Sequence, residues 1–198
     1  MSTATLRSNR HSLAPQDSGN RGIVKSIEEI VASAQAGDPE SFRELYDAFH
    51  QNTYRLMVRM VGLQEAEDLT QQVFLQVFRK LAKFSWQAKF STWLYRLAMN
   101  ESLQYLRNKG RSHIIRLEWE PEQHSHSQES FECKECLERA LASVDPELRA
   151  VFLLREVEEM SYTEIAEVLH IPSGTVGSRL NKVRRELQSI LTELGAEV

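Results

Sequence analysis

SYTEIAEVLHIPSGTVGSRLNKVRREL, residues 161–187, reads as two helices joined by a tight turn. Ser161 and Glu164 have the spacing of a capping box, in which hydroxyl and carboxylate satisfy each other's orphan amide donors and fix where the first helix begins. Tyr162, Ile165, Ala166 and Leu169 then fall on one helical face, and His170-Ile171-Pro172 ends the helix because Pro172 disfavours a helical residue before it. A second helix starts near Ser173. Val176, Leu180, Val183 and Leu187 form its apolar stripe, while Thr175, Ser178, Arg179 and Lys182 project from another face. Hydroxyls and cations on a helix braced by a second one are the layout of a helix-turn-helix reader of the DNA major groove.

Upstream of this pair the pattern stays helical, so the expected class is all-α. Phe131 onward carries Cys133, Cys136, Leu137, Ala140, Leu141 and Val144 at helical spacing, and Asp145-Pro146 caps a further helix with Leu148, Val151, Phe152 and Leu154. Four helices over 131–198 therefore make one domain. Residues 108–130, with Gly110, Pro121 and alternating His, Ser and Gln, lack periodicity and form the expected linker.

A second helical domain is expected over 23–107. Its first helix runs from about Ile23 to Ala36 and Gly37 ends it. Asp38 caps the next, which carries Phe42, Leu45, Tyr46, Phe49, Tyr54, Leu56, Met57 and Met60 up to Gly62. In EAEDLTQQVFLQVFRKLAKF, residues 65–84, an inward stripe of Leu69, Val73, Val77 and Leu81 leaves Glu67, Asp68, Gln71, Gln72 and Gln76 as a polar, partly acidic surface. Residues 1–22, rich in Ser, Asn, Arg and Gln, read as a disordered tail rather than a targeting signal.

Charge is segregated more sharply than the net −4 suggests. Arg79 to Arg116 holds nine cations against one anion, whereas Leu117 to Asp145 holds eight anions against two cations. The first block suits phosphate and the second repels it. Within the basic block, Phe84, Trp86, Phe90 and Trp93 interleave with Lys83, Lys89 and Arg96. Bases drawn out of a duplex stack on aromatic faces while cations hold the adjoining phosphates, so Phe84 and the loop Ser85, Trp86, Gln87 and Lys89 are candidates for a single-strand platform. Trp93 and Leu97 are expected in the core.

No run of apolar residues is long enough to span a bilayer, so a cytoplasmic protein without membrane insertion is expected. Cys133-x-x-Cys136 after His124 and His126 is a weak metal signal, and both cysteines fit the apolar stripe, so they are read as structural, with a metal or redox sensor as the competing reading. Paired acids, a nucleophile with a base and a phosphate-cradling glycine loop are all missing. Neither an enzyme nor a cofactor is expected.

Taken together, EAEDLTQQVFLQVFRKL, FSTWLYRLAMN and PELRAVFLLREVEEMSYTEIAEVLHIPSGTVGSRL resemble the extracytoplasmic-function (ECF) sigma factors, the small two-domain class of bacterial transcription initiation factors, over about Ile23 to Leu191. The resemblance implies that 23–107 is the domain that binds core RNA polymerase and recognises and melts the minus-ten element. It implies that Glu67, Asp68, Gln71, Gln72 and Gln76 meet the polymerase β′ clamp, with β a further contact. Phe84 to Phe90 then corresponds to the loop that captures a flipped base, with Arg96 on the adjoining basic helix and Asn100 beside the pocket. Thr175, Ser178, Arg179 and Lys182 correspond to contacts with the minus-thirty-five element, and the acidic linker to a connector threaded toward the active-site cleft. An anti-sigma factor is an expected partner. Gly177 stands where the family usually has a basic residue, and Trp86 where glycine is common. The alternative from another class is a helix-turn-helix regulator that binds duplex DNA without polymerase.

Overall fold

The computed structural model describes residues 25–109 and 128–193, with side chains from 136 onward in the second stretch. The tail at 1–22 and most of the acidic linker lie outside the described residues. All regular structure among those described is helical.

The first half is built from α1 (Ile27–Gln35), α2 (Pro39–Val61), α3 (Leu63–Lys80), a 3₁₀ turn (Leu81–Lys83) and α4 (Phe90–Lys109). Each boundary has a local cause. Ser26 and Glu29 form a reciprocal capping box that starts α1 four residues later than the apolar pattern alone suggests. Asp38 accepts from the amides of Glu40 and Ser41, with Pro39 placed where a missing N–H costs nothing. The chain reverses between α2 and α3 at Gly62, whose φ of 91° strains any residue with a Cβ. Val31, Leu45, Leu56, Met57, Met60, Val73, Val77 and Leu94 are fully or almost fully buried where these helices meet.

The second half is α5 (Gln128–Ser143), α6 (Pro146–Glu156), α7 (Tyr162–Leu169) and α8 (Ser173–Glu193). The Ser161–Glu164 capping box is formed, and His170 closes α7 in the left-handed region with φ 53°. Val176, Leu180 and Val183 are completely buried and Leu187 nearly so, making α8 the hub on which α5, α6 and α7 pack. Tyr162 departs from its expected inward placement. It is 43% exposed beneath the Arg155 guanidinium, and Val168 fills the buried position instead.

The two halves are in contact. The buried apolar side chains of both form one connected cluster, with α4 packed on α7 and α6, and α2 on α5 and α6. Arg149 of α6 bridges them from a fully buried position, its Nη1 donating to the Met60 carbonyl at the end of α2.

Candidate nucleic-acid interface

The loop between the 3₁₀ turn and α4 is held by a residue that the sequence pattern did not single out. Gln35, the last residue of α1, donates from Nε2 to the carbonyls of Leu81 at 3.0 Å and Phe84 at 2.8 Å. Its Oε1 accepts from the Trp86 indole N–H at 2.8 Å. One amide thus uses donor and acceptor to tie the start of the loop to its tip. The only sequence signal was a polar side chain at the end of a helix, two residues before a glycine, and such positions are usually solvated.

Phe84, expected as an exposed stacking ring, is instead 7% exposed. It lies among Trp86, Phe90 and Trp93 with ring centroids 5.2 to 6.0 Å away, because the Phe84 amide closes the 3₁₀ turn on the Leu81 carbonyl and so points the side chain inward. The open ring is Trp86, which is 45% exposed and sits on the Phe84 ring. Trp86 adopts φ 60°, a left-handed conformation that costs a residue with a Cβ about 1 kcal/mol and that glycine adopts freely. Retaining a tryptophan there, strained and braced by Gln35, points to a use for its exposed face. Ser85, Gln87 and Lys89 in the loop are exposed, as is Asn100 further along α4, while Arg96 is half-buried.

Two of these cations are paired with the opposite half of the molecule. Lys89 Nζ donates to Glu164 Oε1 at 2.9 Å, and Arg96 Nη2 lies 3.8 Å from Glu167 Oε2. The Lys89 ammonium, followed by the amide and hydroxyl of Ser161, holds the Glu164 carboxyl at about 2, well below the usual carboxylate range. That stabilisation is complete above pH about 4.5 and is lost as the pH falls toward 2.

On α3, Glu67, Asp68, Gln71 and Gln72 are exposed as expected. Gln76, one turn after Gln72, sits half-buried at the edge of that face and donates to Glu101 of α4 at 2.6 Å. The face also carries two large apolar side chains that the sequence pattern passed over, Leu75 at 54% and Phe78 at 66% exposed. Both fall outside the inward stripe Leu69, Val73 and Val77, and an apolar residue off the buried period was the available signal.

On α8 the candidate reading face is only partly free. Ser178 and Lys182 are exposed, with the Ser178 hydroxyl donating to the Thr175 carbonyl and Lys182 near Glu186 at 3.8 Å. Thr175 is half-buried, and Arg179 makes a 2.9 Å ion pair with Glu147 of α6. Gly177 has a helical backbone, and a Cβ built there meets only the edge of the Tyr162 ring at 3.6 Å, an ordinary van der Waals contact. Gly177→Arg should therefore fold, gain about 1 kcal/mol of helix propensity and tighten duplex binding several-fold. The salt dependence of binding, log K against log salt, should steepen by about one unit if the new guanidinium reaches a phosphate. An unchanged slope would place position 177 away from the DNA.

No group of three or more His, Cys, Asp or Glu that could hold a metal occurs among the described residues. Cys136 is a free, half-buried thiol. The Cys133 side chain, His124 and His126 lie outside the described residues.

The sequence matches two family models, sigma-70 region 2 over residues 45–112 and sigma-70 region 4 over residues 134–187. It is 29% identical over 183 residues to the ECF RNA polymerase sigma factor SigW of Bacillus subtilis, covering 85% of this chain and 98% of that one. It is 30% identical over 182 residues to the RNA polymerase sigma-H factor of Pseudomonas aeruginosa, covering 84% and 94%. The fold is similar to that of the sigma factor RpoE of Bartonella quintana, solved in complex with the anti-sigma factor NepR, at a TM-score of 0.67 and 20% identity, covering 77% of this chain and 98% of that one.

Proposed function

Because this chain belongs to the extracytoplasmic-function sigma factors, bacterial transcription initiation factors of the sigma-70 family, we propose that its two helical halves divide promoter recognition between them. In this reading 23–107 docks on core polymerase and opens the minus-ten element, 108–130 is the connector, and 131–198 reads the minus-thirty-five element. The α3 face of Glu67, Asp68, Gln71 and Gln72, with Gln76 at its edge and Leu75 and Phe78 toward the C-terminal end of the helix, meets the β′ clamp, and the β subunit is a further contact. Large exposed apolar side chains next to polar groups suit a docking patch. A cytoplasmic location and control by an anti-sigma factor, the kind of protein found on RpoE in its solved complex, belong to the same reading.

At the downstream element Trp86 supplies the stacking surface, Phe84 supports its ring from within the core, and Lys89, Arg96 and Asn100 hold the adjoining backbone and base edge. Binding a base that has left the duplex stabilises the open form over the closed one, so the protein drives melting by differential affinity and makes or breaks no covalent bond. At the upstream element Ser178, Lys182, Thr175 and Arg179 face the duplex, Arg179 exchanging Glu147 for a phosphate or base edge.

The observation that carries this reading is the tryptophan braced by Gln35 between cations, since a regulator that binds duplex DNA alone has no use for a strand-capturing ring. Gln35→Ala and Trp86→Ala should each lower promoter opening about tenfold at unchanged affinity for core polymerase, one by loosening the loop and the other by removing the ring. Stopped-flow fluorescence from a base analogue in the downstream element measures this. Run-off transcription with core polymerase tests the whole reading. The protein should start transcripts at a specific promoter, and tight binding to duplex DNA without any initiation would instead establish the polymerase-independent regulator.

A further inference from the structure

The outer face of α8 is not the row that its cations suggest. Val176, Leu180, Val183 and Leu187 are buried along one stripe. At about 100° per residue, Arg179 lies only about 70° round the helix from the middle of that stripe, Asn181 and Lys182 about 130°, and Ser178 and Arg185 about 170°. Burial follows these angles. Arg179 is half-buried and paired with Glu147 of α6 at 2.9 Å, whereas Ser178, Asn181, Lys182 and Arg185 are exposed.

Three of those four exposed side chains already have a use. The Ser178 hydroxyl donates to the Thr175 carbonyl at 3.0 Å, Lys182 lies 3.8 Å from Glu186, and Arg185 Nε donates to the Asn181 carbonyl at 3.3 Å. The Asn181 side-chain amide makes no hydrogen bond among the described residues. A helical side chain leans toward the N-terminus, over the residues three and four before it, which here are Ser178 and Gly177. Neither has a side chain longer than a hydroxymethyl group, so the amide is left uncovered.

Asn181 is the sole side-chain amide within residues 173–183, the first three turns of α8. The N-terminal part of a recognition helix is the part that meets base edges in the major groove. An amide sets a donor beside an acceptor in one plane, and adenine presents the complement there, N7 as acceptor and the N6 amino group as donor. Guanine presents two acceptors, and neither pyrimidine presents both kinds of group. Lys182 and Arg185 carry donors alone, which suits phosphate.

We propose, on the basis of the reading in which α8 faces the upstream element, that Asn181 is a specificity-determining residue that selects an A·T pair there. Its Nδ2–H donates to adenine N7 and its Oδ1 accepts from the N6 amino group. Lys182 and Arg185 flank it and hold phosphates, which fixes the register in which the amide meets its base.

The test selects duplexes bound by holoenzyme, full chain with core polymerase, from a library randomised across the upstream element. Wild type should prefer A·T over every other pair at one position by about tenfold. Asn181→Ala should lose that preference and keep the others, and Asn181→Arg should shift it to G·C, since a guanidinium matches guanine O6 and N7. Helical circular dichroism should show all three folded. With 7-deazaadenine at that position, wild-type holoenzyme should bind several-fold more weakly and the Asn181→Ala holoenzyme as well as before. An unchanged selected sequence for Asn181→Ala overturns the proposal, and so does an equal loss on every sequence, which marks a phosphate contact. Wild-type holoenzyme that selects no upstream sequence counts against the upstream reading itself, and Asn181 falls with it. The same shifts seen with the chain alone but not with polymerase uphold Asn181 and count against the sigma-factor reading.

Discussion

Arg149→Ala should destabilise the protein by about 3–5 kcal/mol, read as a lower urea midpoint at neutral pH, which is a large share of the stability of a chain this size. The side chain is 1% exposed and makes charge-assisted hydrogen bonds to three carbonyls, Met60 at 2.8 Å, Ala142 at 2.7 Å and Val144 at 3.0 Å. Burial pulls its pKa down to about 10, against an opposing pull from Asp145, so the guanidinium remains charged at neutral pH. Truncation leaves those carbonyls buried without donors and opens a cavity between α2, α5 and α6. Arg149→Lys should recover only part of the loss, because an ammonium on a flexible stem cannot reproduce the planar fork that reaches acceptors on two sides. A loss below about 1 kcal/mol would mean that the bridge between the halves carries no weight.

Phe78→Glu should weaken core polymerase binding about 100-fold, or about 2.7 kcal/mol, while leaving the fold intact. The ring is 66% exposed, so little core is lost, yet it is fixed edge-on against Phe42 with centroids 5.1 Å apart and an interplanar angle of 85°. A rigid apolar side chain presented to solvent loses little entropy on docking. Leu75→Glu should behave alike with a smaller loss, and Phe78→Leu should retain most of the affinity. Titration of labelled protein with core polymerase measures all three, and wild-type affinity for Phe78→Glu would remove α3 from the docking surface.

Helix boundaries were legible because their causes are local. The Ser161–Glu164 box, Asp38-Pro39 and Asp145-Pro146 each act within four residues, and the Val176, Leu180, Val183 and Leu187 stripe follows from helical period alone. What stayed hidden depends on neighbours distant in sequence. Phe84 and Trp86 are both aromatic residues in a basic stretch, and only the 3₁₀ turn decides which ring faces inward. Gln35 acts 46 to 51 residues from its partners, and Arg149 acts across 89 to reach Met60. The face of α3 was read for its polar residues, although its apolar pair is the larger exposed feature, and the bond from Gln76 at its edge to Glu101 joins residues 25 apart. Contact between the halves could not be foreseen at all, since complementary acids on α7 and cations beside α4 carry no register across a linker.

Opening of promoter DNA by core polymerase tests the central claim most directly. Permanganate should oxidise thymines of the downstream element only when this protein, core enzyme and promoter are all present, and Trp86→Ala should reduce that reactivity about tenfold while the upstream contacts still protect DNA. Unreactive thymines in a complex that contains both the protein and core polymerase would contradict it.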